Sequence, residues 1–211
     1  KNDLALQNYE KALAIRRKAL GDEHPDVGDT YNNMAVVYRK QSKNDLALQT
    51  YEKALAIRLK AMGDEHPSVG QTYNNMALVY QKQSKNDLAL QNYEKALTIR
   101  RKALGDEHPS VGDTYYNMAG VYRKQSKNDL ALQNYEKALT IRRKALGDEH
   151  PSVGQTYNNM ALVYQKQSKN DLALQNYEKA LAIRRKALGD EHPDVSDTYN
   201  NMAMVYQKQS K

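Results

Sequence analysis

The chain has 211 residues, and 32 lysine and arginine residues against 25 aspartate and glutamate residues give a formal net charge of +7. Cysteine is absent, which excludes disulfide bonds and thiolate metal sites and fits the reducing cytoplasm, where we expect the protein. No apolar run approaches the about 20 residues that span a bilayer, and no signal peptide is visible, so we expect no membrane association.

The sequence is a 42-residue unit written five times without a gap, and 32 of the 42 positions are identical in all five copies. Repeats of this length form solenoids in which each unit contacts only its neighbours. We therefore predict a single repeat array over residues 1–211 rather than separate globular domains. The five copies span residues 1–42, 43–84, 85–126, 127–168 and 169–210.

Each copy predicts two helices, and the second copy shows the first of them. Ser42 is followed three residues later by Asp45, a capping-box pattern that predicts a helix start at the serine. Apolar residues then recur every three or four positions from Leu46 to Ile57, as in an amphipathic helix. Gly63 is expected to end this helix, which we name helix B.

A second helix, helix A, is predicted to begin at Pro67, because proline is favoured in the first turn of a helix. Apolar spacings of three and four continue to about Gln83. Only a very short turn then precedes the next helix B, which predicts antiparallel neighbours. We expect ten helices and no strands, beginning with a helix B near residues 2–20 and ending with a helix A near residues 193–209.

Each copy contains the motif Tyr-x-Asn-Met-Ala-x-x-Tyr in helix A and the motif Ala-x-x-x-Tyr-x-x-Ala-Leu in helix B, as at residues 31–38 and 47–55. This pattern resembles the tetratricopeptide repeat over the whole chain. The resemblance implies an all-α, right-handed α-solenoid of stacked antiparallel helix pairs, with small residues where helices cross and aromatic residues between units. The Leu-Gly-Asp-Glu-His-Pro loop resembles the 42-residue repeat of kinesin light chains, but the near-identity of the copies departs from that family and indicates recent duplication or design. Asn44 replaces a usual aromatic residue, which should weaken packing at the short turn. The residues that carry the resemblance are Tyr31, Asn33, Met34, Ala35, Tyr38, Ala47, Tyr51, Ala54 and Leu55.

Four variable positions, 29, 32, 36 and 39 in the first copy, fall on one face of helix A. In the tetratricopeptide family this face lines a concave peptide groove. Asparagine amides there should pair with a peptide backbone, and lysine and arginine side chains with its carboxylates. Alternatively, these solvent-facing positions simply vary under weak constraint. The predicted groove residues are Asp29, Asn32, Asn33, Val36, Arg39, Lys40, Gln71, Asn74, Asn75, Leu78, Gln81, Lys82, Asp113, Tyr116, Asn117, Gly120, Arg123, Lys124, Gln155, Asn158, Asn159, Leu162, Gln165 and Lys166.

The third copy differs from the others on this face. Tyr116 replaces an asparagine, and Gly120 replaces a valine, leucine or methionine one turn later. The two substitutions predict either a small pocket with an aromatic wall or an exchange of side-chain volume that leaves the packing intact. Among the tyrosines, Tyr116 is the one that we expect to be exposed.

The repeated groups do not converge on a catalytic site, and we predict no enzyme activity and no cofactor. Each loop offers one histidine, such as His66, whose expected role is at the start of helix A rather than in a metal site. The Ile-Arg-Arg-Lys cluster that ends helix B is expected to be a solvated helix end that matches the helix dipole. Binding to nucleic acid or to another anionic surface is a less favoured interpretation of the basic charge.

We therefore predict a non-catalytic scaffold that binds proteins or peptides of unknown identity. The rival interpretation is a structural module that self-associates head to tail, because the first helix B has no helix A before it and the last helix A has no helix B after it. The residues expected at that end-to-end contact are Leu4, Tyr9, Leu13, Tyr199, Met202 and Tyr206.

Overall fold

A computed structural model describes residues 1–209, and within that range the chain forms ten helices and no strand, as predicted. The end of the last predicted copy, Ser210, and Lys211 lie outside the described residues. The B helices are α1 (Asn2–Leu20), α3 (Asn44–Met62), α5 (Asn86–Leu104), α7 (Asn128–Leu146) and α9 (Asn170–Leu188). The A helices are α2 (Pro25–Lys40), α4 (Pro67–Lys82), α6 (Pro109–Lys124), α8 (Pro151–Lys166) and α10 (Pro193–Gln209).

Proline and glycine set the helix boundaries that the sequence predicts. Pro67 occupies the first turn of α4, and the ring of His66 accepts a hydrogen bond from the backbone N–H of Ser68 at 3.2 Å. The histidine of each loop therefore caps a helix A, in agreement with its expected role. Helix α3 ends at Gly63, whose φ of 84° lies in a region that residues with a Cβ rarely adopt.

The predicted serine cap of helix B is wrong, because the serine ends the preceding helix instead. Ser42 has a φ of 62°, and its N–H donates to the carbonyl of Arg39 at 3.0 Å. The next N–H, from Lys43, donates to the carbonyl of Tyr38 at 3.0 Å, which completes a Schellman motif. The same left-handed conformation occurs at Ser84, Ser126 and Ser168.

Helix α3 accordingly begins at Asn44, with Lys43 at the N-cap and no side-chain capping bond. The acidic residue of the expected capping box, Asp45, accepts a hydrogen bond from Gln83 Nε2 at 2.9 Å. Gln83 follows α4, so this bond ties the start of helix B to the end of helix A in the same copy.

The chain divides into two compact halves, Lys1–Asp106 and a second half that begins at Glu107. Within each half, a helix A packs most closely on the helix B that follows it across the serine turn. These hairpins are α2–α3 and α4–α5 in the first half, and α6–α7 and α8–α9 in the second. The prediction that all five copies form one array stays a prediction.

Small residues and tyrosines form the core of each hairpin. Ala35 and Ala47 are fully buried in one cluster with Tyr51, as the family resemblance implies. Glycine allows the closest approach between helices: a Cβ on Gly70 would lie 3.2 Å from Ile99 Cγ2. A side chain here would require Ile99 to shift by a few tenths of an ångström, which fits the glycine that four of the five copies carry at this position, while the fifth carries Ser196.

We predict that Ser126→Gly is more stable than Ser126→Ala by about 1 kcal/mol, because a left-handed backbone is costly for a residue that carries a Cβ. Both variants lose the bond from Lys166 Nζ to Ser126 Oγ, so their difference isolates the backbone effect. Urea unfolding followed by circular dichroism would measure it. At Ser68, in the first turn of α4, the order should reverse. Equal stability of the two Ser126 variants would contradict the left-handed assignment.

Candidate interaction surface

The predicted groove positions lie along the A helices, and we call them together the inner stripe. They differ in exposure. The asparagines Asn32, Asn74 and Asn158 are only 4%, 8% and 9% exposed. Positions such as Leu78 and Gln81 are half-buried, whereas Gln71, Lys82 and their equivalents reach solvent. The expectation that these positions face solvent therefore holds for residues such as Gln71 and Lys82, but not for Asn32 and its equivalents Asn74 and Asn158.

A buried arginine from the following helix B organises this surface. Arg58 is 3% exposed, and its Nη1 donates to Thr72 Oγ1 at 2.6 Å and to the carbonyl of Ser68 at 2.8 Å. Its Nη2 donates to Asp29 Oδ1 at 2.7 Å. One guanidinium thus joins two neighbouring A helices, α2 and α4.

The expectation of a solvated helix end is wrong for Arg58 and for its equivalents Arg100, Arg142 and Arg184, which are all buried. Arg58 lies one turn after the buried Ala54, so it continues the buried face of α3. This spacing was the signal in the sequence that could have identified it. The second arginine behaves as expected: Arg101 is exposed and pairs with Asp106 at 2.5 Å.

Aspartate and glutamine alternate from copy to copy along the inner stripe, and the partner of the buried arginine changes with them. Arg142 Nη2 donates to Asp113 Oδ1 at 2.8 Å, as Arg58 does to Asp29. In the second copy, Gln71 stands in place of the aspartate, and Arg100 of the following helix B instead donates to Asn74 Oδ1 at 3.3 Å. The aspartate–glutamine difference therefore changes which residue of the preceding helix A receives the guanidinium.

Position 39 of the first copy and its equivalents, which carry arginine or glutamine, face the buried tyrosines of the B helices. Tyr93 Oη donates to Gln81 Oε1 at 3.1 Å, and Tyr177 Oη donates to Gln165 Oε1 at the same distance. Burial raises the pKa of Tyr177 to about 12. Where the copy carries Arg39 instead of glutamine, burial also raises the pKa of the facing Tyr51, and the nearby guanidinium offsets part of that rise.

Residues at the border of the inner stripe link successive A helices. Asn75 Nδ2 donates to Asn32 Oδ1 at 3.3 Å. Lys82 Nζ donates to Ser42 Oγ at 2.8 Å and keeps an exposed side chain. Asparagine and lysine side chains predicted to hold a peptide, such as Asn75 and Lys82, thus already contact their neighbours.

Tyr116 is half-buried rather than exposed. The guanidinium carbon of Arg142 lies 4.2 Å from the centre of its ring, and the ring of Tyr135 meets it edge-on at 5.5 Å. Asn159 Nδ2 donates to its hydroxyl at 2.5 Å. Burial raises the pKa of Tyr116 to about 12. Tyr116 packs against its cluster as Val36 does in the first half, which favours the exchange of volume over an open pocket.

The residues predicted for end-to-end contact are partly uncovered. Leu4 is 62% exposed, and Tyr199 and Tyr206 are each 50% exposed. The others are half-buried, because Tyr9 and Leu13 pack near Met34 and Met202 packs near Tyr177.

Residues 1–209 contain neither a cluster of metal-ligating side chains nor a membrane-spanning helix. No three or more histidine, aspartate or glutamate side chains in that range lie together as they would around a metal ion. Among the helices described, none is both long enough and apolar enough to cross a bilayer.

We predict that Arg142→Met lowers the free energy of unfolding by about 2 kcal/mol, because three hydrogen bonds are lost while the aliphatic packing remains. Asp113 is well exposed, so its carboxylate is not left in a dry site. Arg143→Met is the matched control, since Arg143 pairs with Asp148 at the surface and its loss should cost less than about 1 kcal/mol. Equal losses in urea unfolding would contradict the structural role of Arg142.

Comparison with solved structures places this fold among known repeat proteins. BtubC (BKLC) from P. vanneervenii has a TM-score of 0.84 and 23% identity, over 100% of this chain and 85% of that chain. A kinesin-light-chain-like protein of Podospora anserina with nearly identical TPR-like repeats has a TM-score of 0.72 and 27% identity, over 89% of each chain. Aspartyl phosphate phosphatase F from Bacillus subtilis has a TM-score of 0.82 and 17% identity, over 95% of this chain and 50% of that chain.

No curated protein matches the sequence of this chain. The sequence model described as "Tetratricopeptide repeat" matches residues 1–60, 68–144, 110–186 and 152–211, so every copy is included. The solved structures agree with this assignment, and one of them shares the kinesin-light-chain-like character and the near-identity of the repeats. The chain belongs to the tetratricopeptide repeat family.

Proposed function

We propose that this protein is a non-catalytic interaction scaffold and that the inner stripe binds an extended, acidic peptide. Tetratricopeptide repeats typically serve as protein-interaction scaffolds, which supplies the general class. The specific support is the chemistry that remains accessible after the internal bonds have formed. In the first half, Asn33, Lys40, Gln71 and Lys82 are exposed, and their side chains are amides and cations.

Charge favours an acidic ligand. Asp29, the acidic residue of the inner stripe in the first half, already pairs with the buried Arg58. Lys40 and Lys82 are exposed, so the accessible charge of the inner stripe in this half is positive. Carboxylates of a peptide can bind these ammonium groups, while the amide side chains can bond its backbone.

The proposal involves no catalytic step. Near-identical copies repeat one set of groups along the surface, whereas catalysis needs several different groups around one point. The polar residues of the inner stripe also have structural partners, such as Asn32 for Asn75 and Ser42 for Lys82. These contacts support a binding surface whose side chains are held in place before the ligand arrives.

We predict that Lys82→Glu weakens binding of an acidic peptide, selected from a randomised library, by about tenfold, since the reversed charge repels carboxylates. Lys85→Glu makes the same change of charge at the exposed serine turn and should leave affinity nearly unchanged. Fluorescence anisotropy with the labelled peptide would measure both. Asn74 is unsuitable as a probe, because it is buried and accepts a bond from Arg100.

Equal loss of affinity in the two variants would overturn the proposal for the inner stripe. Such a result, with a steep fall in binding as salt is added, would support a general anionic-surface binder instead. Unchanged thermal unfolding of Lys82→Glu would show that the loss is not a loss of the fold.

A second candidate function is head-to-tail association of the 211-residue chain through α1 and α10. It is favoured by the exposure of Leu4 on the first helix and of Tyr199 and Tyr206 on the last helix described. Light scattering should then show a mass that rises with protein concentration at both low and high salt, because apolar contacts persist in salt. Tyr199→Lys with Tyr206→Lys should abolish the rise. A constant monomer mass would eliminate this candidate.

A further inference from the structure

The loop after helix B contains an ion pair in four of the five copies. Arg17 Nε donates to Asp22 Oδ1 at 2.5 Å, and Arg101 makes the same bond to Asp106 at 2.5 Å. In the second half, Arg143 pairs with Asp148 and Arg185 with Asp190. The hydrogen bond from Arg101 holds the pKa of Asp106 below its usual range. Each of these loops therefore contains an aspartate that accepts a guanidinium.

The second copy has the aspartate without the arginine. Leu59 occupies the position of Arg17 and Arg101, while Asp64 occupies that of Asp22 and Asp106. Asp64 is exposed, and Leu59 is half-buried. The sequence alone shows this exchange of a charged side chain for an apolar one, but it gives no reason to connect the exchange with a cavity.

An open cavity of about 510 Å³ lies beside these two residues. Its walls include Leu59, Asp64, Tyr73 and Ile99, which come from α3, the loop, α4 and α5. The corresponding cavity in the second half is smaller, about 340 Å³, and its wall includes Arg143 where the first has Leu59. The difference fits the volume that a resident arginine side chain takes up.

The charges around the two cavities differ as well. In the larger cavity, Asp64 and Glu94 are opposed by Lys95 alone, whose ammonium lies 5.2 Å from the centre of the Tyr73 ring. In the smaller cavity, two acidic residues are balanced by Arg143 and Lys179. The cavity next to Leu59 thus has an excess of one negative charge and apolar walls.

We propose that this cavity, bounded by Leu59 and Asp64, binds an arginine side chain of a partner protein. The guanidinium would bond Asp64 as Arg101 bonds Asp106, and the aliphatic part of the side chain would lie along Leu59 and Ile99. The four resident ion pairs of this chain show the geometry that the loop accepts. None of the wall residues belongs to the inner stripe, so this site is separate from the proposed peptide surface.

The test uses ligand-observed saturation-transfer NMR on the full chain at low salt. Nα-acetyl-arginine methylamide is the probe, and its citrulline counterpart is the uncharged isostere. We expect saturation transfer to the side-chain CH₂ groups of the arginine probe, and much less to the citrulline probe. Asp64→Asn should weaken binding by about fivefold, whereas Asp106→Asn, which removes the same charge from an occupied loop, should not.

Leu59→Arg provides an independent variant, because it restores the residue that the other four copies carry and should fold normally. The introduced guanidinium should form an ion pair with Asp64 and abolish binding of the probe, while Leu59→Met should leave binding unchanged. Absence of transfer to the arginine probe at millimolar concentration would overturn the proposal. Unchanged affinity in Asp64→Asn, or any binding to Leu59→Arg, would overturn it as well.

Discussion

The guanidinium that each helix B places against the A helices is the interaction on which the rest of this structure depends. Arg58 reaches Asp29 on α2 and Thr72 on α4, so a single buried cation fixes the spacing of two neighbouring A helices. Both terminal nitrogens of Arg58 are bonded, with the carbonyl of Ser68 as a further acceptor, and these bonds offset the cost of burying the charge, although the Nε atom has no hydrogen-bond partner. The position of the inner stripe, and therefore of any peptide on it, follows from this contact.

The residues that vary between copies are consequently coupled to others. An aspartate on the inner stripe, as at Asp113, receives the guanidinium of Arg142, while a glutamine leaves the guanidinium to an asparagine. Tyr116 adds a ring beneath the guanidinium of Arg142. A binding surface engineered on this scaffold would have to change such partners together, because replacing one of them leaves the other without its contact.

Local chemistry accounts for what the sequence predicts well. Pro67 and Gly63 mark helix ends through backbone preferences that need no tertiary partner, and the spacing of apolar residues defines the buried faces. The left-handed Ser42 has no such signal, because serine is favoured at a helix start and rarely adopts a left-handed backbone. The spacing after Ala54 could have indicated that Arg58 is buried, but the partners of Arg58 and the burial of Tyr116 depend on other helices, which periodicity within one helix cannot reveal.

The side-chain links between copies join residues close in sequence: 29 positions separate Arg58 from Asp29, and 43 separate Asn75 from Asn32. A chain held together by such short separations has low contact order, so folding can begin at any hairpin and spread to its neighbours at little loop-closure cost. Near-identity adds a second effect. A helix A that docks on the helix B of the wrong copy meets almost the same side chains, so a full 42-residue unit can be left without its partner helix. Residues that occur in a single copy, such as Leu59 and Tyr116, are among the few side chains that distinguish one hairpin from another.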